Sequence, residues 1–251
     1  MNAAEYERMY RLEESYWWFV GRHRMVEALM RSRFGVSCDI TRAILDIGCG
    51  TGAMSARLAS WGSVISADFS PLALQFSRRR NLRRLVGADA MKLPFASGVF
   101  DVVVAMDMLE HLPDDEAALC EFQRVLKPGG LVIATVPAYQ HLWSDHDVAL
   151  MHYRRYTRRE LGARFKSAGF TLQKLAHIMT LLYPVVSLQR RLNARRPRAE
   201  APQAAMPQVP APVNALLTGI LGVENAVARR VDLPFGVTVL CLAEKPRLAA
   251  V

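Results

Sequence analysis

Three acids stand on or beside apolar runs: Asp46 in Ile44-Leu45-Asp46-Ile47, Asp68 after Ile65-Ser66-Ala67, and Asp89 in Gly87-Ala88-Asp89-Ala90. The first run leads straight into Gly48-Cys49-Gly50-Thr51-Gly52. Backbone without side chains lets a ligand approach closely, and the helix expected from about Ala53 turns free N–H groups toward it. The spacing therefore places a nucleoside-like ligand at this bend. Asp46 lies inside its strand, where a carboxylate is costly to bury unless a donor reaches it. A cationic amino-acid tail on the ligand is such a donor. Read as Gly48-x-Gly50-x-x-Ala53, with Asp68 about 20 residues on, the run also fits a dinucleotide fingerprint. Asp46, the further acid Asp89, and a last strand that follows a long insert weigh against that alternative.

A second reactive set is Asp107-Met108-Leu109-Glu110-His111, which leaves the fourth strand at the same sheet edge. His111 is the candidate general base, with Glu110 and Asp107 beside it. If the segment turns helically, residues 107, 110 and 111 share one face. Two carboxylates and an imidazole so placed could also hold a divalent metal as a facial triad. Downstream, Trp143-Ser144-Asp145-His146-Asp147 and His152-Tyr153-Arg154-Arg155-Tyr156-Thr157 offer imidazoles, phenols and guanidinium groups. Near the start stands Tyr16-Trp17-Trp18-Phe19. Trp18, His152, Arg154 and Tyr156 are the candidate contacts to a second ligand, planar or isoprenoid with an anionic neighbour. Trp17 reads as a core anchor.

The elements that position these residues alternate. Strands are expected at 43–47, 63–67, 84–87, 100–106, 131–136, 170–177 and 237–243, with helices at 52–60, from Ser70-Pro71, at 114–126, and from the capping box Thr157-x-x-Glu160. Pro128-Gly129-Gly130 reads as a turn. Such alternation implies an α/β fold: a doubly wound, mostly parallel seven-stranded sheet whose last strand is antiparallel, with the ligand at its carboxyl edge. Four segments follow: a helical cap (1–36), the core (37–180), a helical and low-complexity insert (181–235), and the last strand with its tail (236–251).

Five pieces, ILDIGCGTG (44–52), ADFSP (67–71), GADAMKLPF (87–95), FDVVVAMDMLEHLPD (100–114) and LKPGGLVIATVP (126–137), carry a resemblance to the class I S-adenosylmethionine-dependent methyltransferases. It runs from about residue 40 to 180 and resumes at the last strand. The resemblance implies S-adenosylmethionine as cofactor. Asp46, Gly48, Cys49, Gly50 and Gly52 would meet its methionine part, Asp68 with Phe69 its ribose, and Asp89 with Ala90 its adenine, with Met106 alongside. It further implies methyl transfer to a small-molecule or lipid-like acceptor, at oxygen. Around Glu110-His111 the chain is similar to the ubiquinone-pathway O-methyltransferases, which leaves a divalent metal open as a second cofactor. An RNA or other nucleic-acid methyltransferase is the alternative from another class, and a non-catalytic binding protein of the same fold is a third.

The chain has 251 residues, 51% of them hydrophobic, and a formal charge of +9 carried mainly by arginine. Arginine clusters at 78–84, 154–159 and 190–198 suit nucleic acid, anionic lipid or an acidic ligand. The nucleic-acid reading ranks below the small-molecule one, because Asp107-Met108-Leu109-Glu110 stands where a (D/N)PP(Y/F) segment would hold a flipped base. The first cluster is expected to decorate solvated helix faces. Cys38, Cys49, Cys120 and Cys241 show no metal spacing and read as reduced thiols, and no signal peptide is visible. The expectation is a cytoplasmic protein, not transmembrane, with peripheral attachment at the inner membrane face open through residues 178–235. There, apolar segments flank a proline- and alanine-rich linker (197–212) and basic residues.

Overall fold

A computed structural model describes residues 3–193 and 209–247. Its strands are β1 (Ala43–Ile47), β2 (Ser63–Asp68), β3 (Leu85–Gly87), β4 (Phe100–Met106), β5 (Leu126–Pro137), β6 (Thr171–Ile178) and β7 (Thr238–Glu244). They form one sheet in the order β3-β2-β1-β4-β5-β7-β6. Only β7 runs antiparallel to its neighbours on both sides. The seven-stranded, doubly wound expectation is therefore met. One expected turn is not: Pro128-Gly129-Gly130 is a bulge within β5, where pairing jumps from Phe100–Leu126 to Val102–Leu131. The bulge is pinned to the end of β7, since Gly129 N–H donates to the Lys245 carbonyl at 2.8 Å.

The helices are α1 (Ala3–Leu12), α2 (Trp17–Phe34), α3 (Ala53–Leu58), α4 (Pro71–Arg79), α5 (Asp115–Val125), α6 (Asp145–Ala149), α7 (Arg158–Ser167), α8 (Tyr183–Asn193) and α9 (Ala211–Ala228). Central strands are apolar on both faces because helices cover both sides of the sheet. Leu45, Val103, Ala105, Val132 and Ala134 pack with Leu119 and Phe122 of α5 and Phe165 of α7. The alternate residues Ile44, Val102, Val104 and Ile133 pack with Met25 and Met30 of α2, Leu58 of α3 and Leu221 of α9. Helix starts follow local chemistry: Ser70 accepts from Ala73 N–H, and Thr157 and Glu160 close a reciprocal capping box.

The N-terminal cap and the insert meet on one face of the sheet. α9 lies against α2 so closely that a Cβ on Gly21 would fall 2.4 Å from Leu221 Cδ1. Asn225 donates to the Gly21 carbonyl at 2.7 Å, and Asn214 accepts from Trp17 N–H at 2.9 Å. Glu224 accepts from the backbone N–H groups of Thr180 and Leu181, tying the chain before α8 to α9. By length and composition α9 alone, among the described residues, is apolar enough to cross a bilayer. Its three polar anchors instead dock it on the fold. Most of the expected linker lies at 194–208, outside the described residues, and α9 begins within its last residues.

Removing one anchor tests this packing. Asn225→Ala removes the buried bond that the Gly21 carbonyl accepts beside its helical one, at a cost of about 1 kcal/mol, which lowers Tm by roughly 2–4 °C in a chain of this size. Calorimetry on the wild type and on the exposed control Val223→Ser provides the comparison. An unmoved Tm in Asn225→Ala would show that this bond does not hold α9 to α2.

Candidate functional site

The strand order reverses between β1 and β4, and the crevice beyond their carboxyl ends opens into a cavity of about 990 Å³. Such reversal points leave room above the sheet because the flanking crossovers diverge. The bend after β1 forms its floor. Gly48 takes φ +72°, and a Cβ there would lie 2.4 Å from Met108 Cγ. Gly48 and Cys49 both donate to the Ala67 carbonyl, at 2.8 and 3.0 Å, which locks the bend onto β2. Asp68 continues that lock: Oδ2 accepts from Gly50 N–H and Oδ1 from Ser70 N–H, each at 2.9 Å. Asp46, Gly48, Cys49, Gly50, Asp68, Phe69, Asp89, Ala90 and Met106 all line the cavity. Gly52 does not; it is the N-terminal cap of α3 at φ +87° and shapes the bend from behind.

The floor is acidic, and Asp46 and Glu13 on it are buried. Asp46 is 2% exposed with Ser55 Oγ as its donor, and burial pushes its carboxyl up to about 7. Glu13, from the link between α1 and α2, reaches the same region. Burial likewise pushes it up to about 7, although Thr51 Oγ1 donates to it and Arg80 lies beside it. Burial also raises Asp68. Of these three carboxyl groups around one bend, Glu13 has Arg80 as a cationic neighbour, whereas among the described residues Asp46 and Asp68 have no basic side chain paired with them.

At the end of β4 the structure departs from the expected arrangement. Residues Leu109–His111 form a single 3-10 turn, and Asp107 precedes it with φ +46°. Asp107 therefore does not share a face with Glu110 and His111. Its carboxylate pairs with Arg22 and accepts from Thr135 Oγ1. Glu110 is fully buried, and among the described residues neither carboxylate oxygen has a hydrogen-bond partner beyond its own backbone N–H. Burial and the nearby Asp107 charge raise its carboxyl well above the usual range. His111 packs edge-on against His152, ring centres 4.6 Å apart. Burial, with His152 beside it, pulls His111 down to about 3, so its imidazole is neutral and only weakly basic.

The downstream segment divides the expected ligand contacts. Trp18 and His152 line the cavity. Tyr156 and Arg154 do not. Tyr156 is 2% exposed and donates to Asp115 at 2.6 Å, while Arg154 holds the other oxygen of Asp115 and the Pro113 carbonyl. Both are framework, because a buried carboxylate at the start of α5 needs those donors. Arg155 does reach the wall, but Asp147 binds it through two nitrogens and Ala138 through a third. In the first arginine cluster Arg78, Arg79, Arg83 and Arg84 are exposed as expected, whereas Arg80 ties α4 to Glu13, Glu14 and the Tyr10 and Thr51 carbonyls and is not on a solvated face.

Glu13, His23 and Arg22, from the cap, line the wall without any sequence signal of their own, and His146 from α6 and Arg190 from α8, noted in the sequence only within motifs, join them there. Arg22 was the most accessible to inference, since the i,i+4 spacing from Trp18 sets its guanidinium 5.8 Å from that ring. Among the described residues Arg190 has no ion-pair partner on the cavity wall.

Comparisons with known proteins agree with this geometry. Residues 45–134 match the model of a methyltransferase domain family. Demethylmenaquinone methyltransferase of Staphylococcus aureus is 37% identical over 114 residues, 40% of this chain and 47% of that protein. The chain thus spans about half the length of that curated relative. A chain of the Haloferax volcanii complex of the Trm112 activator with a methyltransferase superposes with a TM-score of 0.62 at 22% identity, covering 99% of this chain and 96% of its own. An S-adenosylmethionine-dependent methyltransferase of Thermotoga maritima gives 0.61 at 18% identity, covering 96% and 95%. Residues 45–134 thus match the methyltransferase domain family, and the sheet as a whole has the fold of the S-adenosylmethionine-dependent methyltransferases.

Proposed function

We propose that this protein transfers a methyl group from S-adenosylmethionine to an apolar, lipid-like small molecule, at an oxygen atom. The observation that carries the reading is the set of buried acids, Asp46, Glu13 and Asp68, around the Gly48–Gly52 bend. A ligand bearing both an ammonium and a sulfonium supplies the positive charge that Asp46 and Asp68 do not find in a basic side chain. When bound, the cofactor brings a methyl group on a charged sulfur that becomes neutral as the group leaves. The chain's own part is to bind, orient and exclude water. Asp68, already holding the bend, keeps free lone pairs for ribose hydroxyls, and Asp89 borders the adenine side. Trp18, Met106 and Met151 give the opposite wall an apolar surface. Arg190, in place of the expected Arg154, is the cation suited to an anionic group on the acceptor. The Staphylococcus relative, named for its action on demethylmenaquinone, supports an apolar acceptor.

The acceptor's source follows from the helices beside the cavity. Val185, Leu188 and Leu192 form an exposed stripe on α8, and Val213, Leu216, Val223 and Val227 form another on α9. Arg191, Arg229 and Arg230 are exposed near these stripes, while Val186, Gln189 and Arg190 of α8 face the cavity. One helix thus borders both the apolar surface and the site. The occupant that matches leucines flanked by arginines is an anionic bilayer, where a buried leucine contributes about 1.5–3 kcal/mol and a nearby arginine about 1 kcal/mol.

Three measurements test these readings. Asp68→Ala lowers cofactor affinity at least tenfold by calorimetry, and Asp68→Asn, which keeps an acceptor for Gly50 N–H, lowers it less. Equal affinity in all three proteins refutes the assignment. Cofactor affinity rises about tenfold between pH 6 and 7.5, because Asp46, pushed up to about 7, must lose its proton to pair with the cation. The sign for the free protein is opposite: folded-state values raised above the unfolded ones make stability fall as pH climbs from about 4 through 7. A flat affinity profile refutes the acid-floor argument. Vesicles of equal phosphatidylglycerol and phosphatidylcholine sediment the protein, whereas pure phosphatidylcholine vesicles or the Leu188→Asp/Val223→Asp variant leave it in solution; no sedimentation with the anionic vesicles refutes the docking face.

A further inference from the structure

We propose that Glu110, His111 and His152 bind a divalent transition-metal ion. One donor atom from each lies within 4.8 Å of the others. An ion about 2.1 Å from each ligand spans donors up to roughly 4.2 Å apart, so a small rotation of the rings closes the set. The side chains are suited to it individually. Glu110 is fully buried, and among the described residues no other residue donates to its carboxylate oxygens, although buried carboxylates ordinarily find donors. His152 gives Nδ1 to Asp147 at 2.9 Å, and Asp147 is itself held ionised by two nitrogens of Arg155. That bond puts the proton on Nδ1 and leaves the Nε2 lone pair bare, the carboxylate–histidine–metal arrangement that orients imidazole ligands. The His111 ring has the Leu150 backbone as its hydrogen-bond partner, which leaves its other nitrogen free.

The two halves of the site are also joined through the backbone. Tyr153 N–H donates to the Glu110 carbonyl at 2.7 Å, and His152 N–H to the Asp147 carbonyl at 2.9 Å. Two imidazoles and one carboxylate on one side of an ion leave positions open, and all three residues border the cavity. This donor set differs from the one the spacing suggests. Arg22 takes Asp107 away, and His152, 41 positions after His111 in the chain, supplies the third ligand. The role of the ion rests on the proposed methyl transfer: it would orient and polarise an acceptor oxygen beside the cofactor. The binding itself does not.

Titration of the chelator-treated full chain with Co²⁺, followed by visible absorption, and with Zn²⁺, followed by calorimetry, tests the site. The expected result is one equivalent bound, with affinity reduced at least tenfold by His152→Ala and by Glu110→Gln, and about tenfold or more by Asp147→Asn. Asp107→Asn keeps the affinity within a factor of three. Cofactor affinity, measured on the same metal-free proteins, reports that each variant is folded and separates the two readings. Protein that binds cofactor but no metal overturns this inference alone; protein that binds metal but no cofactor overturns the methyltransferase reading alone. Metal binding unchanged in His152→Ala, or lost in a folded Asp107→Asn, also overturns it.

Discussion

The cavity of this protein is organised by the cost of keeping carboxyl groups away from water. Asp46 and Glu13 sit where burial favours their protonated forms near neutral pH. Nothing in the sheet requires a carboxylate at position 46; an apolar residue would pack there at lower cost. The fold tolerates these acids because backbone amides and hydroxyls from the glycine bend, Ser55 and Thr51 give each at least one donor. Those donors lessen the penalty without removing it. Binding of a cation recovers the remainder, so the strain of the free state becomes selectivity for a positively charged ligand.

The cap and the insert make that buried environment. The sheet and its crossover helices leave the carboxyl edge open. α1 and α2 close it with Tyr6, Met9 and the aromatic block, and α8 closes the opposite side. Arg22 has a particular effect. By neutralising Asp107 it separates two acids that would otherwise compete for the same donors, and among the described residues it leaves Glu110 with no donor from another residue, against two imidazoles. A residue in a segment outside the conserved-looking core motifs thus decides which side chains at the end of β4 remain available.

How far the sequence could be read depends on how local each signal was. The strands, the bend and the caps at Ser70 and Thr157 depend on neighbours a few residues away, and the structure places them within a residue or two of expectation, except that β5 begins five residues early because Leu126 pairs with Phe100 ahead of the bulge. Asp46, Asp68 and Asp89 were legible because each lies at a fixed offset from a strand end. Arg154 and Tyr156 misled because a polar motif after a strand looks alike whether it faces a ligand or a buried aspartate. Asp115, which claims both, is 39 and 41 residues away in the chain. Glu13 was hidden for the same reason, and Arg190 was visible only as part of a cluster, because the docking of cap and insert is what carries both to the cavity. The turn at Asp107 was missed because helical spacing was assumed where the backbone instead takes a left-handed residue.

α9 shows how such long-range contacts decide the meaning of an apolar segment. Its composition alone is compatible with a spanning helix, a core helix or an interfacial one. Asn214, Glu224 and Asn225 all make bonds into the fold, two of them to α2 or its first residue and one to the chain before α8. In hydrocarbon those three groups would have to be satisfied within the bilayer at high cost. Their placement fixes one face of α9 against the protein and leaves the stripe from Val213 to Val227 outward. A helix held in this way cannot cross a membrane without dismantling the contact at Gly21, where Leu221 leaves no room for a side chain. It can lie on a surface with its outward stripe in contact while α8, tied to it through Glu224, keeps its inner residues at the cavity. The polar anchors therefore connect the proposed surface contact to the site mechanically.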